Sequence, residues 1–287
     1  MNLESRYADL GDVRLHYVEA GEGPLVVLLH GFPQSHHMWR FQLPVLVEAG
    51  FRIVAPDMRG YNLSEKPDRI EHYRVGTLVR DVERLIVERG AEKATVVGHD
   101  WGAIIAWFAA MRHPERVEKL AILNVPHPAR FLDGLTMPKQ LLKSSYMFFF
   151  QIPRLPEKAL SAGDFAVLRA ALRRNPVRPG AISADDVERY VGAMAQPGAL
   201  TATINYYRAL LRNPSETQAL PKKIEAPTLV IWGEKDVFLS LELADPGPLW
   251  VSNLRVERLP DASHFVAEDR PDEVNALLLD FLQHPSP

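Results

Sequence analysis

The chain has 287 residues, 47% of them hydrophobic, with a formal net charge of −3 and no cysteine. That length accommodates a full α/β core with one inserted lobe. The missing cysteines exclude disulfides, thiolate metal sites and a cysteine nucleophile, and the near-neutral charge, without a Lys/Arg run, offers nucleic acid no electrostatic footing.

No apolar run approaches the roughly 18 residues of a membrane span. The start Met1-Asn2-Leu3-Glu4-Ser5-Arg6 is polar and unlike a signal peptide. A cytoplasmic protein that binds neither membrane nor nucleic acid is expected. Strands are predicted at about 13–19, 25–30, 52–55, 94–98, 117–123, 227–232 and 254–258, with helical patterns mainly between them. Such alternation implies an α/β fold, a mostly parallel sheet covered by helices on both faces. The pattern breaks after Asn124-Val125-Pro126-His127-Pro128 and resumes near Ala226. Helical periodicity in between predicts an inserted cap over 129–218, dividing the core into 1–128 and 219–287. A lid there would roof the carboxyl ends of the strands and exclude water.

Four strand-to-loop junctions carry chemistry. The apolar run from Leu25 ends in His30-Gly31-Phe32-Pro33, a turn able to aim the Phe32 N–H at a site. Ala94-Thr95-Val96-Val97 leads into Gly98-His99-Asp100-Trp101-Gly102-Ala103 and then an apolar, helix-forming run to Met111. Small residues flank Asp100 as a sharp strand-to-helix elbow requires, because the two backbones nearly touch there. Aspartate is also a good helix N-cap, and taken alone Asp100 reads that way. As an elbow residue it has a different chemistry: a carboxylate attacks saturated carbon and becomes an ester that water can cleave. No G-x-S-x-G occurs, so an esterase or lipase lacks its nucleophile. The N–H groups of Phe32 and Trp101 could form an oxyanion hole. Asp236 lies in the polar turn after the strand predicted at 227–232 and His264 follows the strand around Val256, so the order is Asp100, Asp236, His264. His99, His36 and His37 read as structural.

On these motifs the chain resembles, along essentially its whole length, α/β-hydrolases of the epoxide hydrolase and haloalkane dehalogenase branch. The resemblance implies an α/β-hydrolase fold and, in the cap, two tyrosines. Tyr146 opens the segment Tyr146-Met147-Phe148-Phe149-Phe150-Gln151-Ile152-Pro153, and Tyr207 directly precedes Arg208; Tyr206 matches the family pattern less well. Tyrosine, which ordinarily ionises only near a pKa of about 10, is protonated at neutral pH and can donate to a departing alkoxide. The implied reaction opens an epoxide to a vicinal diol through a hydroxyalkyl ester on Asp100. Water activated by His264, itself oriented by Asp236, then hydrolyses that ester without metal or organic cofactor. Phe32, Trp101, Tyr146 and Tyr207 are expected to touch the small epoxide, in a monomer or a homodimer.

Two other readings compete. A haloalkane or haloacid dehalogenase uses the same nucleophile, but Phe32 stands where haloalkane dehalogenases often carry Asn, and no arginine flanks the elbow as in fluoroacetate dehalogenases. A small-ligand-binding protein without catalysis has no need of Asp100, Asp236 and His264 together.

Overall fold

The buried strand runs and one polar strand pair into a single sheet. In the computed structural model, which describes residues 2–218 and 223–284, the strands are β1 (Glu4–Asp9), β2 (Arg14–Ala20), β3 (Leu25–Leu29), β4 (Arg52–Pro56), β5 (Ala94–His99), β6 (Val117–Leu123), β7 (Thr228–Gly233) and β8 (Leu254–Leu259). Their order across the sheet is β1-β2-β4-β3-β5-β6-β7-β8. β2 runs antiparallel to β1 and β4, and the pairings from β4 onward are parallel. Residues 219–222, where the second core segment is expected to begin, lie outside the described residues, as do Met1 and 285–287.

β1 is the strand that hydrophobic patterning does not predict. Five of its six residues are exposed, Ala8 being the exception. It exists through main-chain pairing to β2, in register from Glu4 opposite Glu19 to Asp9 opposite Arg14. An edge strand with both faces largely solvated carries no apolar signal. β3, β5 and β7 are buried along their whole length, as expected of strands covered on both faces. Val27 and Leu29 point into one core, with the helices Val75–Glu88 and Trp101–Arg112. Val26 and Leu28 point into the other, with Gln42–Glu48 and Pro271–Gln283. Full burial of each such side chain contributes about 1.5–3 kcal/mol.

The site is located by topology. The chain steps from β3 outward to β4, then crosses to the other side of β3 to form β5. Loops leaving the carboxyl ends of β3 and β5 therefore diverge and leave a crevice, the usual place for a ligand in an open α/β sheet. Between β6 and β7 the described residues form helices and no strand: Pro128–Gly134, Pro138–Lys143, Tyr146–Phe149, Leu155–Arg174, Ala184–Met194, Ala199–Arg212 and Pro214–Gln218. The helix Leu155–Arg174 is broken at Ala162 and resumes after Gly163, Asp164 and Phe165, all at positive φ.

Candidate active site

Asp100 sits at the tip of the β5-to-helix turn with φ 51° and ψ −121°, a backbone conformation unfavourable for a residue with a Cβ. Its carbonyl accepts from the N–H groups of Ala103 (3.0 Å) and Ile104 (3.1 Å), so the helix starts immediately and leaves the carboxylate at the tip. Close approach explains the neighbouring glycines. A Cβ on Gly102 would lie 2.2 Å from the Leu29 carbonyl oxygen, and one on Gly31 would lie 2.3 Å from Asp100 Cβ and Oδ1. With no side chain at residue 31, the Phe32 N–H reaches Asp100 Oδ1 at 2.7 Å. Trp101 opens the helix, so its N–H is among the first four, which lack an intrahelical acceptor.

The loop after β7 brings in Asp236. Its Oδ1 accepts from the backbone N–H of Phe238 (2.7 Å) and of Leu239 (2.9 Å). Its Oδ2 accepts from Asn124 Nδ2 (2.9 Å) and from His264 Nδ1 (2.8 Å). Burial opposes ionisation, but His264, Asn124 and the Leu239 N–H outweigh it and hold the carboxyl below the usual carboxylate range. The other ring nitrogen of His264, Nε2, lies 3.5 Å from Asp100 Oδ2. Burial pulls the imidazole down, yet the facing charges of Asp236 and Asp100 raise it to about 10. Asp100, half-buried, is held low by His264 and the Phe32 N–H, which outweigh the burial that opposes its ionisation. Thus Asp100, Asp236 and His264 converge from three strand ends, with His264 between the carboxylates.

A cavity of about 200 Å³ opens in front of Asp100. Its wall includes Asp100, Trp101, His264, Tyr146 and Tyr207; the remaining lining residues are apolar, and none of the described lining residues is Lys or Arg. Tyr146 and Tyr207 meet edge to face at 5.8 Å between ring centroids. Burial, followed by nearby Asp100, pushes the Tyr146 phenol well above its ordinary range. Burial, followed by Tyr146 and Asp100, does the same to Tyr207. Both are therefore protonated. Successive residues of a helix project about 100° apart, so Tyr206 and Tyr207 cannot both face the cavity. Tyr206 turns away, and its hydroxyl donates to the Arg59 carbonyl at 2.7 Å. Phe32, expected also to touch substrate, is not on the cavity wall. Its ring packs edge-on against Phe150 and Tyr207, at 6.1 and 5.9 Å, so residue 32 faces the site through its backbone.

A family model described as the alpha/beta hydrolase fold matches residues 24–271. The AB hydrolase superfamily protein YfhM of Bacillus subtilis (strain 168) is 41% identical over 286 residues, covering 98% of this chain and 99% of the relative. Epoxide hydrolase 4 of Homo sapiens is 40% identical over 289 residues, covering 97% of this chain and 78% of the relative. Among solved structures, Bacillus megaterium epoxide hydrolase in complex with an inhibitor aligns with a TM-score of 0.90 at 36% identity, over 97% of this chain and 100% of that one. The chain belongs to the alpha/beta hydrolase family, in its epoxide hydrolase branch.

Three residues of this hydrolase serve the site without having been singled out for a role from sequence. Asn124, at positive φ directly after β6, donates to Asp236 while its Oδ1 accepts from the Gly233 N–H at 2.9 Å. Arg208 donates to the carbonyls of Phe150 (2.9 Å) and Ile152 (3.0 Å) and pairs with Glu157. Gln151 Nε2 donates to the Tyr207 carbonyl at 3.1 Å. Arg208 and Gln151 thereby tie the Tyr146 segment to the Tyr207 helix. Of the three, the sequence marked only Arg208, as the residue that Tyr207 directly precedes. His99 is fully buried, bonds the His264 carbonyl at 2.8 Å and is lowered to about 4, chiefly by burial. His36 bonds Asp57 at 2.9 Å and His37 bonds Asp186 at 2.7 Å. Elsewhere, His16 and His36 surround Asp57, whose oxygens accept from His16 Nδ1 (2.6 Å), Asn62 Nδ2 (2.8 Å), His36 Nδ1 and the His36 N–H. That cluster is a filled hydrogen-bond network. Among the described residues no helix is long and apolar enough to cross a membrane.

Proposed function

We propose that this hydrolase opens a small epoxide to a vicinal diol through a covalent ester on Asp100. The observation that carries the reading is the cavity wall: two protonated phenols, Tyr146 and Tyr207, share one apolar cavity with a carboxylate held ionised. A departing halide needs no proton. A departing alkoxide does, and a phenol supplies it.

In this mechanism Tyr146 and Tyr207 hydrogen-bond the oxirane oxygen while an Asp100 oxygen attacks a ring carbon in line. The ring C–O bond breaks, and the oxygen takes a proton from a tyrosine, which regains it from solvent. The ester on Asp100 is then attacked at its carboxyl carbon by water, which gives its proton to His264 Nε2. Asp236 holds the ring orientation and stabilises the imidazolium. The N–H groups of Phe32 and Trp101 stabilise the tetrahedral oxyanion, each contributing about 3 kcal/mol to the transition state. Cleavage releases the diol and free Asp100. The helical segment 129–218 acts as the cap, with core segments before and after it; Trp101 contacts substrate beside the tyrosines. We propose a cytoplasmic setting and a monomer or homodimer, with a small molecule as the partner.

The test is the intact mass of a His264→Gln variant after incubation with an epoxide, a haloalkane and fluoroacetate in separate tubes. Gain of a whole-epoxide mass, absent from Asp100→Ala, is expected. An adduct from a halide alone would move the assignment to dehalogenation, and no adduct from any would favour a protein that binds without turnover.

A further inference from the structure

The groups proposed to act together come from distant parts of the chain: the Phe32 N–H, His264, and the cap tyrosines 146 and 207. Their mutual placement has to be held to a fraction of an ångström for the reaction to proceed. Behind the site, away from the cavity wall, lies a buried polar junction that the mechanism does not use. Glu268, four residues past His264, is fully buried. Its Oε2 accepts from Gln34 Nε2 at 2.6 Å, and its Oε1 from the Tyr190 hydroxyl at 2.9 Å and from Arg40 Nη1 at 2.5 Å. Arg40 reaches on to the Ala181 carbonyl and to Asp186, both at 3.0 Å. Asp269, also fully buried, accepts from the N–H (2.8 Å) and hydroxyl (2.6 Å) of Ser263, the residue before His264, and from the Arg178 N–H at 3.0 Å. Arg178 Nη2 donates to the Glu268 carbonyl at 2.7 Å.

We propose that Glu268 and Asp269 are positioning residues that lock the His264 loop to the cap, through Tyr190 and Arg178, and to the Phe32 loop, through Gln34 and Arg40. The inference rests on the reaction proposed above. Gln34 and Arg40 belong to the loop that begins at Phe32. Arg178, Ala181, Asp186 and Tyr190 belong to the segment leading into the helix that carries Tyr207. The two carboxylates divide the work. Glu268 sets the cap, and with it the tyrosines, against the core; Asp269 fixes the residue next to His264. A buried carboxylate accepting several bonds tolerates little displacement, since any bond lost leaves a polar group unpaired in a dry setting.

The division predicts which step each change slows. Tyr190→Phe removes one hydroxyl from the cap side and leaves Glu268 held by Gln34 and Arg40, so ring opening should suffer and ester hydrolysis should not. Asp269→Asn, with its Oδ1 still accepting from the Arg178 N–H and its amide turned to Ser263, loosens Ser263 beside His264, so hydrolysis should suffer and ring opening should not. Rapid-quench intact-mass kinetics on the full chain, with one epoxide, reads formation and decay of the ester separately. We expect Tyr190→Phe to slow formation about tenfold with decay changed less than about twofold, and Asp269→Asn to do the reverse with ester accumulating, effects within the range a small misplacement causes. If Asp269→Asn does not fold, Ser263→Ala makes the same measurement. Equal slowing of both steps, or no slowing in folded variants, overturns the junction while the epoxide reading stands. Absence of any ester in the unaltered protein overturns the epoxide reading, and the junction's catalytic role falls with it.

Discussion

His264 Nε2 lies 3.5 Å from Asp100 Oδ2 while its Nδ1 is bonded to Asp236 at 2.8 Å, so one imidazole is held between two carboxylates. Both carboxyls are held below their ordinary value of 3.8, and together they raise the imidazole to about 10. At neutral pH the resting site is therefore a protonated histidine between ionised aspartates, a state unable to act as a base. In the proposed mechanism, esterification removes the charge on Asp100. With only Asp236 left to favour the imidazolium, the His264 pKa falls, and the ring becomes a base when there is an ester to hydrolyse.

This gives the two steps different pH profiles. Ester formation needs ionised Asp100 and protonated tyrosines, which the site maintains across a wide range, so its single-turnover rate should be flat from about pH 5 to 9. Ester decay should rise with pH through the His264 pKa of the esterified enzyme, below the resting value of about 10. A decay rate independent of pH over the same range would remove His264 as the base.

The same groups contribute to stability in opposite directions. His264 is raised above 6.5, so its contribution is complete below about pH 6.5 and is lost as pH rises through about 10. Asp236 is lowered from 3.8, so its contribution is present above that value and is lost as pH falls below it. Asp236→Asn should flatten the pH dependence of denaturant midpoints at both ends. Unchanged dependence would mean that the pair is not coupled to folding.

Adjacent tyrosines should behave differently. Tyr207→Phe is expected to slow epoxide opening about 10²-fold or more, as is Tyr146→Phe, with the double variant slower still and any alkyl halide turnover little affected. Tyr206→Phe loses a buried hydrogen bond to the Arg59 carbonyl and should cost about 1–3 kcal/mol in urea unfolding with near-normal kcat. Steady-state rates on an epoxide and a halide, beside unfolding curves, separate these roles. A reversal between Tyr206 and Tyr207 would contradict the geometry.

Asn124→Ala removes a donor from Asp236 and an acceptor from the Gly233 N–H in one change. Stability should fall by roughly 1–3 kcal/mol per unpaired buried group. Ester decay should slow more than ester formation, because only decay uses the Asp236-supported histidine. Matched losses in the two steps would assign Asn124 a purely structural part.

Gly31→Ala tests the elbow. The added Cβ would stand 2.3 Å from Asp100 Cβ and Oδ1, and the loop must retreat to admit it. Retreat pulls the Phe32 N–H off Asp100, so ester decay should drop by about 10²-fold, in line with the loss of one oxyanion donor. A fully active Gly31→Ala protein would show that this N–H is not used.

What could be read from the chain and what could not divides along physical lines. The parallel core was legible because β3, β5 and β7 are buried on both faces and so carry unbroken apolar runs. Asp100 and Asp236 were legible because each follows such a run at a turn whose glycine is demanded by local sterics, and His264 because it follows the strand around Val256 and completes the chain order Asp100, Asp236, His264. β1 was not, since its residues face solvent and its existence depends on pairing with β2. Asn124, Gln151 and Arg208 were not read as site residues because their value lies in partners 51 to 112 positions away, which no local pattern records. Tyr206 and Tyr207 are the clearest division. The sequence alone determined that a tyrosine pair stands before Arg208 on one helix, and helical geometry alone required that one of them turn away. Only the packing of that helix on Arg59, Trp101 and Tyr146 decided which, because orientation about a helix axis is set by what the helix is packed against.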